Sequence, residues 1–334
     1  MKVKPNNFDL ARLLLAATVF LAHLWVASRQ PALHFLCNVD SHGAVEGFFT
    51  ISGFLIVASF ERSKSPRDYF LKRAKRILPA YWLSTAFCVA IAVVFSRSFH
   101  VGKFLLANLT FMNFLHPGVS GVFQNNPDTV DLNAPLWTIK IEVAFYLIVP
   151  LLVWACRKLG YTSVLGTITV ASIIYRLATS SNIHLAYQLP GQLSFFCIGA
   201  LIYRNLTTFK RIGRWLVAPA LLCYVAFSFT QWFVLRPLSI PVLVLFFCLS
   251  LPEIKGPTRW GDFSYGTYVL HFPIIQSLVA LGAFQRFPIL TAFLAAALTA
   301  QAAVLSWFFV ERRWLRSRRI QVEAIPSLRL ADAS

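Results

Sequence analysis

The sequence predicts an all-α, polytopic integral membrane protein with about ten transmembrane helices in one bundle. Three observations carry that expectation: an apolar composition, a succession of span-length apolar runs, and a lopsided sorting of basic residues. Of 334 residues, 57% are hydrophobic and only 13% charged, which lies outside the range of water-soluble globular domains. Hydrocarbon offers backbone groups no water. Each apolar run of about 17–23 residues is therefore expected to satisfy its own hydrogen bonds as a helix.

The runs follow one another with short interruptions. The first, 10–28, is expected to be retained as a span, because no basic leader with a small-residue cleavage site precedes it. Spans at 44–60 and 79–96 come next, the latter entered through a basic amphipathic stretch, 66-PRDYFLKRAKRILPAYW-82. Residues 103–116, KFLLANLTFMNFLH, are too short to cross and too apolar to stay in water, so an interfacial or re-entrant helix is expected there. Spans at 136–156, 162–178, 190–206, 215–231, 236–252, 264–283 and 288–310 complete the set. The longest extramembrane stretch of low apolar content, 116–133, is too short for a second soluble domain. One transmembrane domain over 1–320 and a cytoplasmic tail over 321–334 are expected.

Lys and Arg residues number 31 against 13 Asp and Glu, a net charge of +18. With the N-terminus inside, about 23 of the basic residues fall in cytoplasmic segments, about five outside and about three within spans, which is the bias that sets orientation. Both termini are then cytoplasmic, and the loops 61–78, 207–214 and 253–263 face the same side. The clusters 72-KRAKR-76, 210-KRIGR-214 and 312-RRWLRSRR-319 abut spans. Topology and anionic lipid account for them, and no nucleic-acid motif accompanies the charge. Of six cysteines, Cys88, Cys156, Cys197, Cys223 and Cys248 lie in apolar runs and only Cys37 in an outside loop, so no disulfide framework is indicated.

Ionisable side chains inside spans are costly and mark function. Arg12 and His23 are eleven steps apart in the first span, which returns them to nearly the same helix face, about 16 Å apart along the axis. One face thus joins the cytoplasm to a deep imidazole, although Arg12 alone would also suit a snorkelling anchor. In the fourth span Glu142 is a second candidate acid or base, and Lys140 points about 200° away from it. Arg73 and Arg76, at i and i+3, share a face that suits phosphate oxygens through bidentate guanidinium contacts.

These blocks resemble the membrane acyltransferase-3 family, bacterial O-acyltransferases of extracytoplasmic glycans. The family's Asp-x-x-Arg followed by ten residues and then a His is matched by Asp9, Arg12 and His23. In order along the chain, 43-GAVEGFFTISGFLI-56, 73-RAKRILPAYW-82, the set Leu136, Trp137, Thr138, Glu142, Phe145, Tyr146, Leu147 and Pro150, then 264-SYGTYVLH-271 and Glu311 match its further motifs. Ala44 interrupts the Gly-Val pair of the family, and Lys140 stands where a small or uncharged residue is usual.

The resemblance implies transfer of an acyl group, most often acetyl, from cytoplasmic acyl-coenzyme A to a hydroxyl of an extracytoplasmic or lipid-linked polysaccharide such as an exopolysaccharide. Acyl-coenzyme A is then a co-substrate; no bound cofactor or metal is expected, and the location is the bacterial inner membrane. His23 is expected to act as general base, with Glu142 as the second catalytic group, orienting His23 or binding sugar hydroxyls. Arg12, Arg73 and Arg76, with Tyr81 and Trp82, are expected to bind acyl-coenzyme A. His42, Glu46, Trp137 and Tyr146 are expected to face the carbohydrate acceptor. The pantetheine arm is comparable in length to the roughly 16 Å between Arg12 and His23. A homo-oligomer is compatible with the sequence. A transporter or flippase of lipid-linked glycan is the alternative, although no inverted repeat supports it.

Overall fold

A computed structural model describes residues 6–96, 101–254 and 256–315; the expected tail at 321–334 lies outside the described residues. Among these the chain is helical, with no strand. The main helices are α1 (Phe8–Ser28), α2 (Ser41–Glu61), α3 (Pro66–Phe95), α4 (Gly102–Leu109), α5 (Trp137–Leu159), α6 (Tyr161–Ala178), α7 (Leu189–Arg204), α8 (Leu206–Thr230), α9 (Leu235–Leu249), α10 (Ser264–Ala280) and α11 (Pro288–Leu305). Their starts follow local chemistry. Ser65 accepts a hydrogen bond from Asp68 N at 3.2 Å ahead of Pro66, and Asp40 accepts from Gly43 N at 2.7 Å, so both α3 and α2 begin on side-chain caps.

Eight helical stretches among the described residues are long and apolar enough to cross a bilayer. The two expected spans at 236–252 and 264–283 are helices of 15 and 17 residues, about 22 and 26 Å long, short of a hydrocarbon core of about 30 Å. Helix α10 is buried nearly all round, so protein rather than lipid surrounds it. The expected helix at 103–116 is shorter than its apolar run: α4 ends at Leu109, and Phe111 takes φ 59°, a left-handed conformation that helices cannot propagate.

Side-chain ties sort the loops onto two faces of the bundle. On one face Asn7 Nδ2 donates to Pro252 O at 2.9 Å, Tyr161 Oη at the start of α6 donates to Glu61 at the end of α2, and Arg76 pairs with Asp262 at 2.6 Å. On the other, Arg29 pairs with Asp128 at 2.8 Å, and Gln276 Nε2 donates to Thr129 O at 2.8 Å. This is the alternation that successive crossings require.

Prolines and glycines then tie the helices together. Pro150 has no N–H, which frees the carbonyl of Tyr146, and Tyr69 Oη on α3 donates to it at 3.1 Å. Pro273 frees Val269 O in the same way, and that oxygen accepts from Ser84 Oγ at 2.7 Å and Asn133 Nδ2 at 2.8 Å. Helix α2 meets α7 closely: a Cβ on Gly53 would lie 1.9 Å from Phe196 O, and one on Gly199 would lie 2.2 Å from Thr50 O. Small residues let membrane helix backbones approach in this manner.

Candidate active site

The basic face of α3 and the first turns of α1 and α10 enclose one end of a cavity. Arg12, Arg73, Arg76 and Ser264 line it there, Glu142, Tyr146 and Tyr265 line its wall, and Thr138 and Tyr268 line its far end. The three guanidiniums meet here because Arg73 and Arg76 are one helical turn apart and Asp262, just ahead of α10, draws the others in. Asp262 lies 2.6 Å from Arg76 and 3.5 Å from Arg12. Burial would raise its carboxyl, but Arg12 and Arg76 outweigh that and hold it well below the usual carboxylate range. Arg73 Nη2 donates to Ser59 Oγ at 3.2 Å and its guanidinium lies over the Tyr146 ring. Arg12 Nε and Arg73 Nε are buried without a partner among the described residues. Donors thus remain for a further anion.

At the far end, Tyr268 and Thr138 share a hydrogen bond of 2.9 Å between their hydroxyls. The Tyr268 ring lies 6.1 Å from that of His271, and His271 Nε2 is 2.9 Å from His23 Nδ1. The two imidazoles stack at 5.1 Å. Five residues separate His23 from Ser28, and five separate His271 from Gln276, whose amide touches the loop on the second face. The pair therefore sits about 7 Å below that loop.

The expected site residues fall at several separate places in the bundle. His23 pairs with His271 rather than with Glu142, whose carboxylate accepts from Tyr146 Oη one turn on, at 2.6 Å. Glu142 and Tyr146 belong to the wall of the arginine-lined cavity. Tyr81 and Trp82 do not line it. They follow Arg76 by five and six residues, which turns them about 140° and 240° from it, and Tyr81 Oη donates to Asn108 O at 2.9 Å while Trp82 is on the exposed side of the bundle. The other acceptor candidates gather elsewhere. His42 stacks on Tyr187 at 4.2 Å and Trp137 meets the same ring at 6.5 Å. Glu46 is fully buried, with Arg176 Nη2 2.7 Å from one oxygen and Arg236 Nε 2.5 Å from the other, so both its oxygens are held by the protein.

An acyltransferase-domain family model matches residues 6–311. The chain belongs to this acyltransferase family. The acyltransferase is 28% identical to the O-acetyl transferase of Shigella phage Sf6 over 93% of this chain and 96% of that one. It is 26% identical to nodulation protein 10 of Rhizobium leguminosarum bv. viciae, over 94% of each chain. It is 28% identical to exopolysaccharide production protein ExoZ of Rhizobium meliloti, over 89% of this chain and 95% of the relative. No solved structure matches it. In this acyltransferase the residues missed by sequence reasoning are Asp262, Arg176 and Arg236, which carry charge but no recognisable spacing, and the role of His271, whose signal was present in 264-SYGTYVLH-271.

Proposed function

We propose that this acyltransferase moves an acyl group, most often acetyl, from acyl-coenzyme A on the cytoplasmic side to a hydroxyl of an extracytoplasmic or lipid-linked polysaccharide at the inner membrane. One observation supports this above the rest: a single cavity has three arginines at one end, and its other end is one ring away from the His23–His271 pair. Phosphates of the donor suit the guanidinium end, where charge-assisted bonds are strong. The thioester, at the other end of the pantetheine arm, would then approach the histidines. His23 takes the proton of the acceptor hydroxyl as its oxygen attacks the thioester carbonyl, a role that contributes about 10²–10⁴-fold. The Lys and Arg bias supports both termini, and the donor end of the cavity, on the cytoplasmic side.

The names of the relatives support the product class, since they include an O-acetyl transferase and an exopolysaccharide production protein. Purified protein in lipid nanodiscs, given acetyl-coenzyme A labelled in the acetyl group and glycan from the source cells, is expected to release coenzyme A and label the glycan. Mass spectrometry of surface glycan from cells with and without the gene is expected to differ by one acyl group. Unchanged glycan together with no donor turnover would sink the proposal, and glycan movement across the nanodisc-free vesicle membrane without turnover would replace it with transport.

A further inference from the structure

The reaction proposed above needs one nitrogen of His23 bare, and the structure contains a device that decides which one. His271 is fully buried. Its Nδ1 faces two backbone carbonyls of its own helix, Tyr268 O at 2.8 Å and Thr267 O at 3.1 Å. Carbonyl oxygens only accept, so the proton of His271 sits on Nδ1. The ring neighbours of His271 are His23, Phe20, Phe272 and Tyr268, and among the described residues no carboxylate forms an ion pair with it that would compensate a buried imidazolium. His271 is therefore neutral, and its Nε2 is an acceptor. The partner at 2.9 Å, His23 Nδ1, must then be the donor. A neutral imidazole carries one N–H, so His23 Nε2 keeps its lone pair. That nitrogen makes no hydrogen bond among the described residues, and the His23 side chain is only half-buried.

We infer that His271 is a positioning residue that locks His23 in the Nδ1-protonated tautomer, leaving Nε2 as the base that faces the acceptor hydroxyl. The inference rests on the acyl transfer proposed above. In that step the hydroxyl proton passes to His23 Nε2, the acceptor oxygen bonds to the thioester carbonyl carbon, and the carbon–sulfur bond breaks. The departing thiolate recovers the proton from Nε2, so ester and free coenzyme A thiol are formed and His23 returns to its starting tautomer. The backbone of α10 is the anchor of the relay: Thr267 and Tyr268 carbonyls fix His271, and His271 fixes His23.

The test uses full-length protein with 15N-labelled histidine in nanodiscs, the His23 signals being assigned by their loss in His23→Gln. Wild-type His23 is expected to show a protonated Nδ1 and a bare Nε2. In His271→Leu, which removes the acceptor, the tautomer is released, kcat is expected to fall about 10²–10⁴-fold, and the KM for acetyl-coenzyme A to stay unchanged. His271→Gln keeps an oxygen acceptor and is expected to recover much of the loss. A general packing defect would instead raise donor KM and would not be rescued by Gln. A wild-type spectrum with the proton on Nε2, or a His271→Leu enzyme with near-normal kcat, overturns the inference. Where His271→Leu fails to accumulate, the wild-type spectrum and the Gln variant decide. An inactive wild type whose Nδ1 is protonated would overturn the proposed reaction and leave the tautomer lock standing.

Discussion

Arg76 and Asp262 show how a residue proposed to bind the donor is held ready. The carboxylate of Asp262 occupies two guanidiniums, at 2.6 Å from Arg76 and 3.5 Å from Arg12, and so keeps like charges together in the absence of an anion. Replacing Arg73 or Arg76 by Ala removes a charge-assisted contact of about 1.5–3 kcal/mol. Donor KM is expected to rise by about ten- to a hundredfold with kcat at saturation less affected, and steady-state kinetics against acetyl-coenzyme A would show it. Unchanged KM in both variants would reduce the cluster to a topology signal. Asp262 also makes a pH prediction. Its folded pKa is depressed, so the stabilisation it contributes is present at neutral pH and is lost as pH falls below about 3.9, the ordinary value for an aspartate. Wild-type protein is expected to be more stable than Asp262→Asn near neutral pH, and the gap to close on acidification. Thermal unfolding at a series of pH values checks this, and a gap that stays constant or widens in acid would contradict it.

At the scale of helices, α3 is the element on which the site depends. Its first turns supply Arg73 and Arg76, and its side chains capture the carbonyls that Pro150 and Pro273 release in α5 and α10. Tyr69→Phe removes the donor to Tyr146 O and leaves a buried carbonyl unpaired, at a cost of about 1–3 kcal/mol. A lowered melting temperature with donor KM also raised is expected, because Arg73 and Arg76 follow Tyr69 by about one and two turns of α3. A melting temperature equal to wild type would mean that the freed carbonyl has found another partner. Helix α2 is fixed differently, through Gly53 and Gly199 and through Glu46. Both guanidiniums on Glu46 are buried, with Arg176 at 0% and Arg236 at 3% side-chain exposure, and removal of one partner from such a set typically costs about 3–5 kcal/mol. Glu46→Ala is therefore expected to destabilise the fold, read by thermal unfolding in detergent. A stable variant with weakened acceptor use would instead return Glu46 to the role of acceptor contact.

At the scale of the molecule, the alternation of the two faces predicts which positions an impermeant thiol reagent reaches. Cys37 is exposed and native, and the orientation argued from basic residues puts it outside. In intact cells it is expected to react. Ser65→Cys and Thr208→Cys, each made in a Cys37→Ser background, are expected to remain unmodified until the membrane is opened. Labelling of those two with protection of Cys37 would invert the topology and the direction of acyl transfer together.

Composition and the spacing of apolar runs were enough to determine helices, membrane class and the approximate place of the eight helices long and apolar enough to cross among the described residues, because a bilayer imposes one demand on all of them: twenty or so apolar residues and an internally bonded backbone. Motif order was enough to bring out the family, and helical geometry was enough to put Arg73 beside Arg76. Contacts between distant helices obey no such one-dimensional rule. His23 and His271 are 248 residues apart, and their pairing follows from how α1 packs along α10. Likewise Glu46 and Arg236 are 190 residues apart, and nothing in the sequence between pairs them. Glu142 was legible as an ionisable group in a span but not as a cavity wall, since its partner is set by the rotation of α5 against α3. Tyr81 and Trp82 share a motif with Arg76 yet leave its face within two turns. A linear motif records which residues are used together, and only the packing of α1, α3, α5 and α10 decides which of them touch.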